Sequence, residues 1–441
     1  MSELERLASA CIFPSFPGDA PPDWVRRFLA DGGGGIVLFA YNVPSRERLA
    51  ALCAGLRAER DDVLLAIDEE GGDVTRLEWD TGSSYPGGAA LGAVDDLALT
   101  ESVAASIAAE LAGVGVNWNL APVADVNVPA NPVIGTRAFG SDAPKVARHV
   151  AAWVRGLQSR HVAACAKHFP GHGSTEQDSH LELPVLVGDV EDGLEPFRAA
   201  IAAGVQSIMT AHIRVHDLPA TIDPAIVQEL LRNRLGFDGV VMADALEMKA
   251  VSETYGVEAS AVRSLAAGVD ALCVGHDLGE EAVDRIRAAL VAQVDEDRLH
   301  EAAGRIARLA EWARPAAGGA DRAPAAAGAR RALLVEGDVA VPGAPVLVEL
   351  RPRANIAAGE AEHGLGNALV VREGEPVPAA DVFVIRDAHR HPWMRQAADV
   401  PGVIVVETGL PVWRPTRARG YVATFGGGRV SLEAAEEVLG L

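Results

Sequence analysis

Residues 162–169 read "VAACAKHF". An apolar run with no polar alternation closes on Lys167 and His168. Such a run fits a strand buried on both faces, as in a parallel sheet. Working outward, the same kind of run recurs as "SACIF" (9–13), "GIVLFA" (35–40), "LLAID" (64–68) and "VNWNLAP" (116–122), then as "SIMTAHI" (207–213), "GVVMADAL" (239–246) and "ALCVG" (271–275). Helix-like stretches at 46–60, 97–114, 144–160, 192–203, 224–234 and 257–267 lie between them. This alternation predicts an α/β fold, a (β/α)8 TIM-type barrel, with a doubly wound open sheet as the competing arrangement.

The polar residues fall at consistent places. Asp68, Asp125, Lys167, His168, His212 and Asp244 each end an apolar run or follow it closely. In a barrel those positions gather at the C-terminal face, so residues far apart in sequence meet there. A helix over 296–313 closes this domain, 1–313. The stretch 314–330, "RPAAGGADRAPAAAGAR", is poor in large apolar residues and reads as a linker. Strand signals resume in 331–441, which predicts a smaller C-terminal α/β domain. Near its end, "FGGGRVS" (425–431) is a Gly-rich turn before a helix, read as a structural turn rather than an anion cradle.

Composition narrows the function. The chain has 441 residues, 49% hydrophobic and 23% charged, with net charge −22. An acidic surface disfavours nucleic acid and anionic membranes as partners. The four cysteines, Cys11, Cys53, Cys165 and Cys273, stand singly in apolar contexts and suggest buried thiols in a reducing compartment. The N-terminal stretch has no signal-peptide pattern and no long charge-free apolar run occurs, so a cytoplasmic location with no membrane span is expected.

The loop "KHFPGHGSTEQDSHLELP" (167–184) carries the densest chemistry. His168 and His172 have the spacing of a helical metal motif, but Pro170 and Gly171 forbid the helix that would align them. Asp178 and His180 are two apart, so in an extended stretch they point the same way. A carboxylate beside an imidazole fixes its tautomer and raises its pKa, which suits proton transfer near neutral pH. Asp244 ends "GVVMAD"; it either caps a helix starting near Ala245 or lines a site. "AIDEEGGDVTRLE" supplies Asp68, Glu69, Glu70 and Arg76, and "NPVIGTRAFGSD" supplies Arg137. Arg and Lys beside Asp are the donors and acceptors that vicinal sugar hydroxyls require.

These motifs, together with "GGIVLFAYN", "NLAPVADVN" and "MTAHI", occur in the order seen in family 3 glycoside hydrolases. The chain resembles the bacterial β-N-acetylglucosaminidase (NagZ-like) branch of that family. The resemblance implies that Asp244 is a nucleophile forming a covalent glycosyl–enzyme, and that His180 is the acid/base with Asp178 as its partner. It further implies that Asp68, Arg76, Arg137, Lys167 and His168 hold sugar hydroxyls and that His212 lines the site. The expected activity is retaining cleavage of terminal β-linked GlcNAc from cell-wall fragments or chitooligosaccharides, with no cofactor and no metal. A phosphorylase using phosphate as acceptor and a non-catalytic sugar-binding protein are the alternatives. A metal-dependent barrel hydrolase would show His-x-His after the first strand, and "SACIFPSF" has none. Two positions depart from the family pattern: Asp73 stands where relatives commonly carry Arg, and Ser174 replaces an acidic residue. Asp73 is expected to reverse a charge near the sugar pocket. The partner implied is a small carbohydrate, and the oligomeric state is left open.

Overall fold

The computed structural model describes residues 1–175, 183–275, 278–316, 318–341, 343–353 and 363–441. Each of the eight apolar runs becomes a strand: β1 (Ile12–Pro14), β2 (Gly35–Leu38), β3 (Leu64–Ile67), β4 (Trp118–Asn119), β5 (Ala163–Phe169), β6 (Ser207–Thr210), β7 (Val240–Ala243) and β8 (Ala271–Val274). All pair in parallel, in the order β1-β8-β7-β6-β5-β4-β3-β2. Strands adjacent in sequence are adjacent in space all the way round, so there is no switch point of the doubly wound kind. β1 and β2 lie side by side, which closes the sheet into a barrel. Gly35 permits a close approach of β2 to β3: a Cβ would sit 2.1 Å from the Leu64 carbonyl oxygen.

The barrel interior is filled rather than hollow. Phe13 meets Trp118 edge to face at 5.3 Å between ring centroids. The buried Trp118 indole donates to Ser207 Oγ at 2.7 Å, and Ser207 donates to the Ala164 carbonyl at 2.8 Å. A buried polar group is tolerated only when paired in this way.

The outer helices match their sequence patterns, with Arg46–Glu59, Leu97–Val114, Ala143–Gln158, Leu194–Ala202, Ala225–Arg234, Val257–Ala267 and Glu296–Trp312 as the main examples. Ser45, Asp96 and Asp142 cap three of them by accepting a backbone N–H three residues on. Among the described residues, Leu97–Val114 is long and apolar enough to cross a bilayer. Here it is packed against the helices Arg46–Glu59 and Ala143–Gln158.

The C-terminal region forms a second sheet of β9 (Leu334–Gly337), β10 (Leu347–Leu350), β11 (Leu369–Val371), β12 (Val382–Ile385), β13 (Ile404–Glu407) and β14 (Gly420–Ala423). Its order is β11-β10-β12-β13-β14-β9, parallel except for the β14–β9 pair. The segment 314–330, expected to be a linker throughout, instead enters a helix at Ala323 that runs to Ala332. Alanine has the highest helix propensity, and this helix buries its small face against both halves of the molecule. It packs on the barrel helices Gly88–Val94 and Leu97–Val114 and on the C-terminal helix Arg429–Leu439. Arg331 pairs with Asp96 at 2.9 Å, and Arg322 with Glu110 at 2.7 Å.

Candidate active site

The strand ends bring together most of the residues expected to form a site. Asp68 follows β3 directly, and strand alternation turns Asp68 and Glu70 to one side and Glu69 to the other. Lys167 Nζ lies 2.6 Å from Asp68 and 2.7 Å from Glu70. Arg137 reaches Glu70 through both Nε (2.9 Å) and Nη2 (2.7 Å), a bidentate pair. Arg76 approaches Asp68 at 3.6 Å. Burial alone would raise the Glu70 pKa, but Arg137 and Lys167 overcome it and hold the carboxyl well below its usual range. Burial would likewise depress Lys167, yet Asp68 and Glu70 keep its pKa above the ordinary lysine value. Asp68 and Arg76 form the accessible edge of the cluster, with side chains 17% and 14% exposed.

A second cluster fixes the histidines. Asp125 is fully buried. Its Oδ2 lies 2.8 Å from His168 Nδ1, and its Oδ1 accepts the backbone N–H of His172 at 2.6 Å. This gives His168 Nδ1 the proton of that bond and turns Nε2 away from Asp125. His172 Nδ1 sits 2.8 Å from Thr175 Oγ1. The Asn131 amide ties the segment by donating to the carbonyls of His172 (2.8 Å) and Thr175 (3.0 Å). Burial, helped by the neighbouring His168, lowers the His172 pKa to about 4, so this ring is neutral near pH 7.

Asp244 stands immediately after β7, and its Oδ1 accepts the Ala245 N–H at 2.8 Å. The next helix begins only at Lys249, with Met248 as its cap residue, so Asp244 is not a helix cap. The capping reading of Asp244 is thereby removed. His212, expected to line the site, is fully buried. Its Nε2 donates to the Ala245 carbonyl at 3.0 Å, and its Nδ1 lies 2.9 Å from Thr221 Oγ1. His212 thus holds the peptide that follows Asp244.

Asp178 and His180 lie outside the described residues. The chain on either side is anchored at the barrel rim: Thr175 through Asn131, and Pro184 through its carbonyl to the Arg214 N–H at 2.8 Å.

Three residues that the sequence places at or beside strand ends were given no role there. Glu70 shares a stretch with Asp68, and alternation by two would have selected it. Asp125 ends an apolar run, the signal that identified the others. Glu69 is buried on the opposite side, where it accepts the backbone N–H groups of Arg76 and Leu77 at 2.9 and 3.0 Å. Burial raises its pKa to about 7, with those N–H bonds opposing. A carboxyl raised in the folded state costs stability as pH climbs from its unfolded value near 4.5 through about 7. Glu69→Gln should therefore be increasingly stabilised relative to wild type as pH rises across that window. Thermal melts from acid to neutral pH would show it; a constant Tm difference would contradict it.

Asp73 corrects an expectation. It does not place an extra negative charge in the sugar pocket. Its carboxylate is taken up by Arg386, which follows β12 in the second sheet, at 3.0 and 2.7 Å. Burial would raise its pKa, but Arg386 and its hydrogen bonds hold it at about 2.

The family model described as the glycosyl hydrolase family 3 N terminal domain matches residues 21–309. The chain belongs to family 3 of the glycosyl hydrolases. It is 37% identical over 290 residues to a β-hexosaminidase of Bordetella avium, covering 60% of this chain and 83% of the relative. A β-hexosaminidase of Methylococcus capsulatus is 37% identical over 259 residues, covering 56% of this chain and 78% of that one. Among solved structures, a family 3 β-N-acetylglucosaminidase from Paenibacillus superposes with TM-score 0.87 at 30% identity, over 100% of this chain and 97% of that one. Native NagZ from Neisseria gonorrhoeae covers 70% of this chain and 90% of its own, with TM-score 0.61 and 29% identity.

Proposed function

We propose that the protein is a retaining exo-β-N-acetylglucosaminidase. The observation that supports this reading is the convergence of Asp68, Glu70, Arg76, Arg137 and Lys167 at one end of a barrel in which Asp244 directly follows β7. The charged cluster offers fixed donors and acceptors to the hydroxyls of one pyranose, and Asp244 offers a nucleophile to its anomeric carbon. In the first half-reaction a bond forms between Asp244 and the anomeric carbon as the glycosidic bond breaks. His180, oriented by Asp178, gives its proton to the leaving oxygen. In the second half-reaction His180 takes a proton from water, which attacks the same carbon and releases Asp244. His168, held by Asp125, contributes a hydroxyl contact through Nε2. The preference for a 2-acetamido sugar is supported by the hexosaminidase relatives rather than by a particular contact.

The test is a rate comparison between aryl β-GlcNAc and aryl β-glucoside. GlcNAc should be the better substrate by at least about tenfold in kcat/KM, the equivalent of one net hydrogen bond of about 1.4 kcal/mol. Equal rates would remove the hexosaminidase assignment. Running the reaction in phosphate buffer separates acceptors: free GlcNAc supports hydrolysis, whereas GlcNAc-1-phosphate as the main product would make the enzyme a phosphorylase.

A further inference from the structure

Two sequence oddities, the unexpected Asp73 and the Gly-rich turn 425–431, are halves of one joint. The Asp73 side chain is 8% exposed and is surrounded by donors from both sheets. Arg386 reaches it through Nη1 and Nη2 at 3.0 and 2.7 Å, and the Gly427 N–H reaches it at 2.7 Å. Thr136 Oγ1 donates to it at 2.5 Å. The Gly-rich turn thus does cradle an anion, and the anion is a carboxylate of the barrel. The backbones meet closely here: a Cβ on Gly428 would lie 3.0 Å from the Gly72 carbonyl oxygen.

The joint adjoins the sugar cluster. Asp73 lies three residues beyond Glu70, and Thr136 immediately precedes Arg137. The Asp73–Thr136 bond and the Glu70–Arg137 pair are therefore two rungs between the same two turns. Arg386 also touches Thr136 directly, at 3.3 Å. Without Arg386, the buried Asp73 carboxylate would keep only the neutral donors Thr136 and Gly427 N–H, and the turn that carries Glu70 would lose its charged anchor to the second sheet.

We propose that Arg386 of the C-terminal domain is a positioning residue for the sugar-binding cluster: through Asp73 and Thr136 it fixes the turn that aims Arg137 at Glu70. The second domain is then part of the binding apparatus without touching the sugar. This rests on the glycosidase reading for its readout, since the site it adjusts is the one proposed above.

Full-length Arg386→Gln, Arg386→Lys and the double variant Asp73→Asn with Arg386→Gln test it, with Arg331→Gln as control. Arg331 also joins the C-terminal side to the barrel, at Asp96, but shares no hydrogen bond with the sugar cluster. For aryl β-GlcNAc, Arg386→Gln should raise KM about tenfold while changing kcat by less than about threefold, the split expected when ground-state binding is lost. Arg386→Lys, which keeps the charge, should recover part of the loss, and Arg331→Gln should keep the wild-type KM. A KM for Arg386→Gln within about twofold of wild type, or an equal rise in Arg331→Gln, would overturn the proposal. Should Arg386→Gln fail to fold, the double variant leaves no unpaired buried carboxylate and carries the test: a raised KM supports the proposal and a wild-type KM overturns it. Calorimetric binding of GlcNAc repeats the comparison as Kd. A wild type that binds GlcNAc without cleaving its glycosides would fail the activity reading while still testing the joint; one that does neither fails both.

Discussion

Asp244→Ala is expected to fold normally and to lose turnover of aryl β-GlcNAc by a factor on the order of ten thousand, as when a covalent nucleophile is removed. The position permits a clean experiment. Asp244 follows β7 rather than lying within it, so the ladders from Ser207–Thr210 to Val240–Ala243 and on to Ala271–Leu272 do not depend on its side chain. It is half-buried, so its loss opens no large cavity. Kinetics on aryl β-GlcNAc paired with a thermal melt would separate chemistry from folding. A variant that kept kcat within about tenfold of wild type would remove the nucleophile assignment, because losing a covalent nucleophile costs far more than that.

Glu70→Ala is expected to be severe in a different way. Glu70 neutralises Arg137 and Lys167 together, and the side chains of Glu70, Arg137 and Lys167 are 5%, 7% and 3% exposed. Deleting it takes from Arg137 its paired carboxylate and leaves Lys167 to Asp68, which Arg76 also approaches. Removing one partner of a buried ion pair typically costs about 3–5 kcal/mol. Urea or thermal denaturation should report a loss of that order, together with a large rise in KM as Arg137 and Lys167 lose their fixed places. Glu70→Gln should lose less stability, since its amide oxygen still accepts from Arg137. The sign with pH follows from the depressed pKa: the stability due to Glu70 is present above its unfolded value near 4.5 and is lost as pH falls below it. The gap between wild type and variant should therefore shrink on acidification. A Glu70→Ala protein as stable as wild type at neutral pH would contradict this reading of the network.

Some of this arrangement was legible in the sequence because it is local. A polar residue closing an apolar run is a strand end, and in a parallel barrel strand ends share a face, which was enough to gather Asp68, Lys167, His168 and Asp244. Glu70 and Asp125 carried the same signals. What local pattern could not express was pairing across the chain. Asp73 looked like a charge reversal in the sugar pocket because its partner, Arg386, is 313 positions away. The turn at 425–431 looked merely structural for the same reason. His212 sits at a strand end like the others, and its bond to the Ala245 carbonyl, 33 positions on, ties it to the peptide after Asp244. The stretch 314–330 was read by its lack of large apolar residues, whereas alanine and arginine make a good helix once both neighbours offer it a surface.

The Asp244 carboxylate is expected to bond covalently to the anomeric carbon during turnover. Mass spectrometry after incubation with a slowly released 5-fluoro β-GlcNAc fluoride tests it most directly. The account predicts a glycosyl adduct on the peptide containing Asp244 that disappears with time as turnover completes. An adduct on a different carboxylate, such as Asp68 or Glu70, or turnover with no adduct at any time, would contradict it.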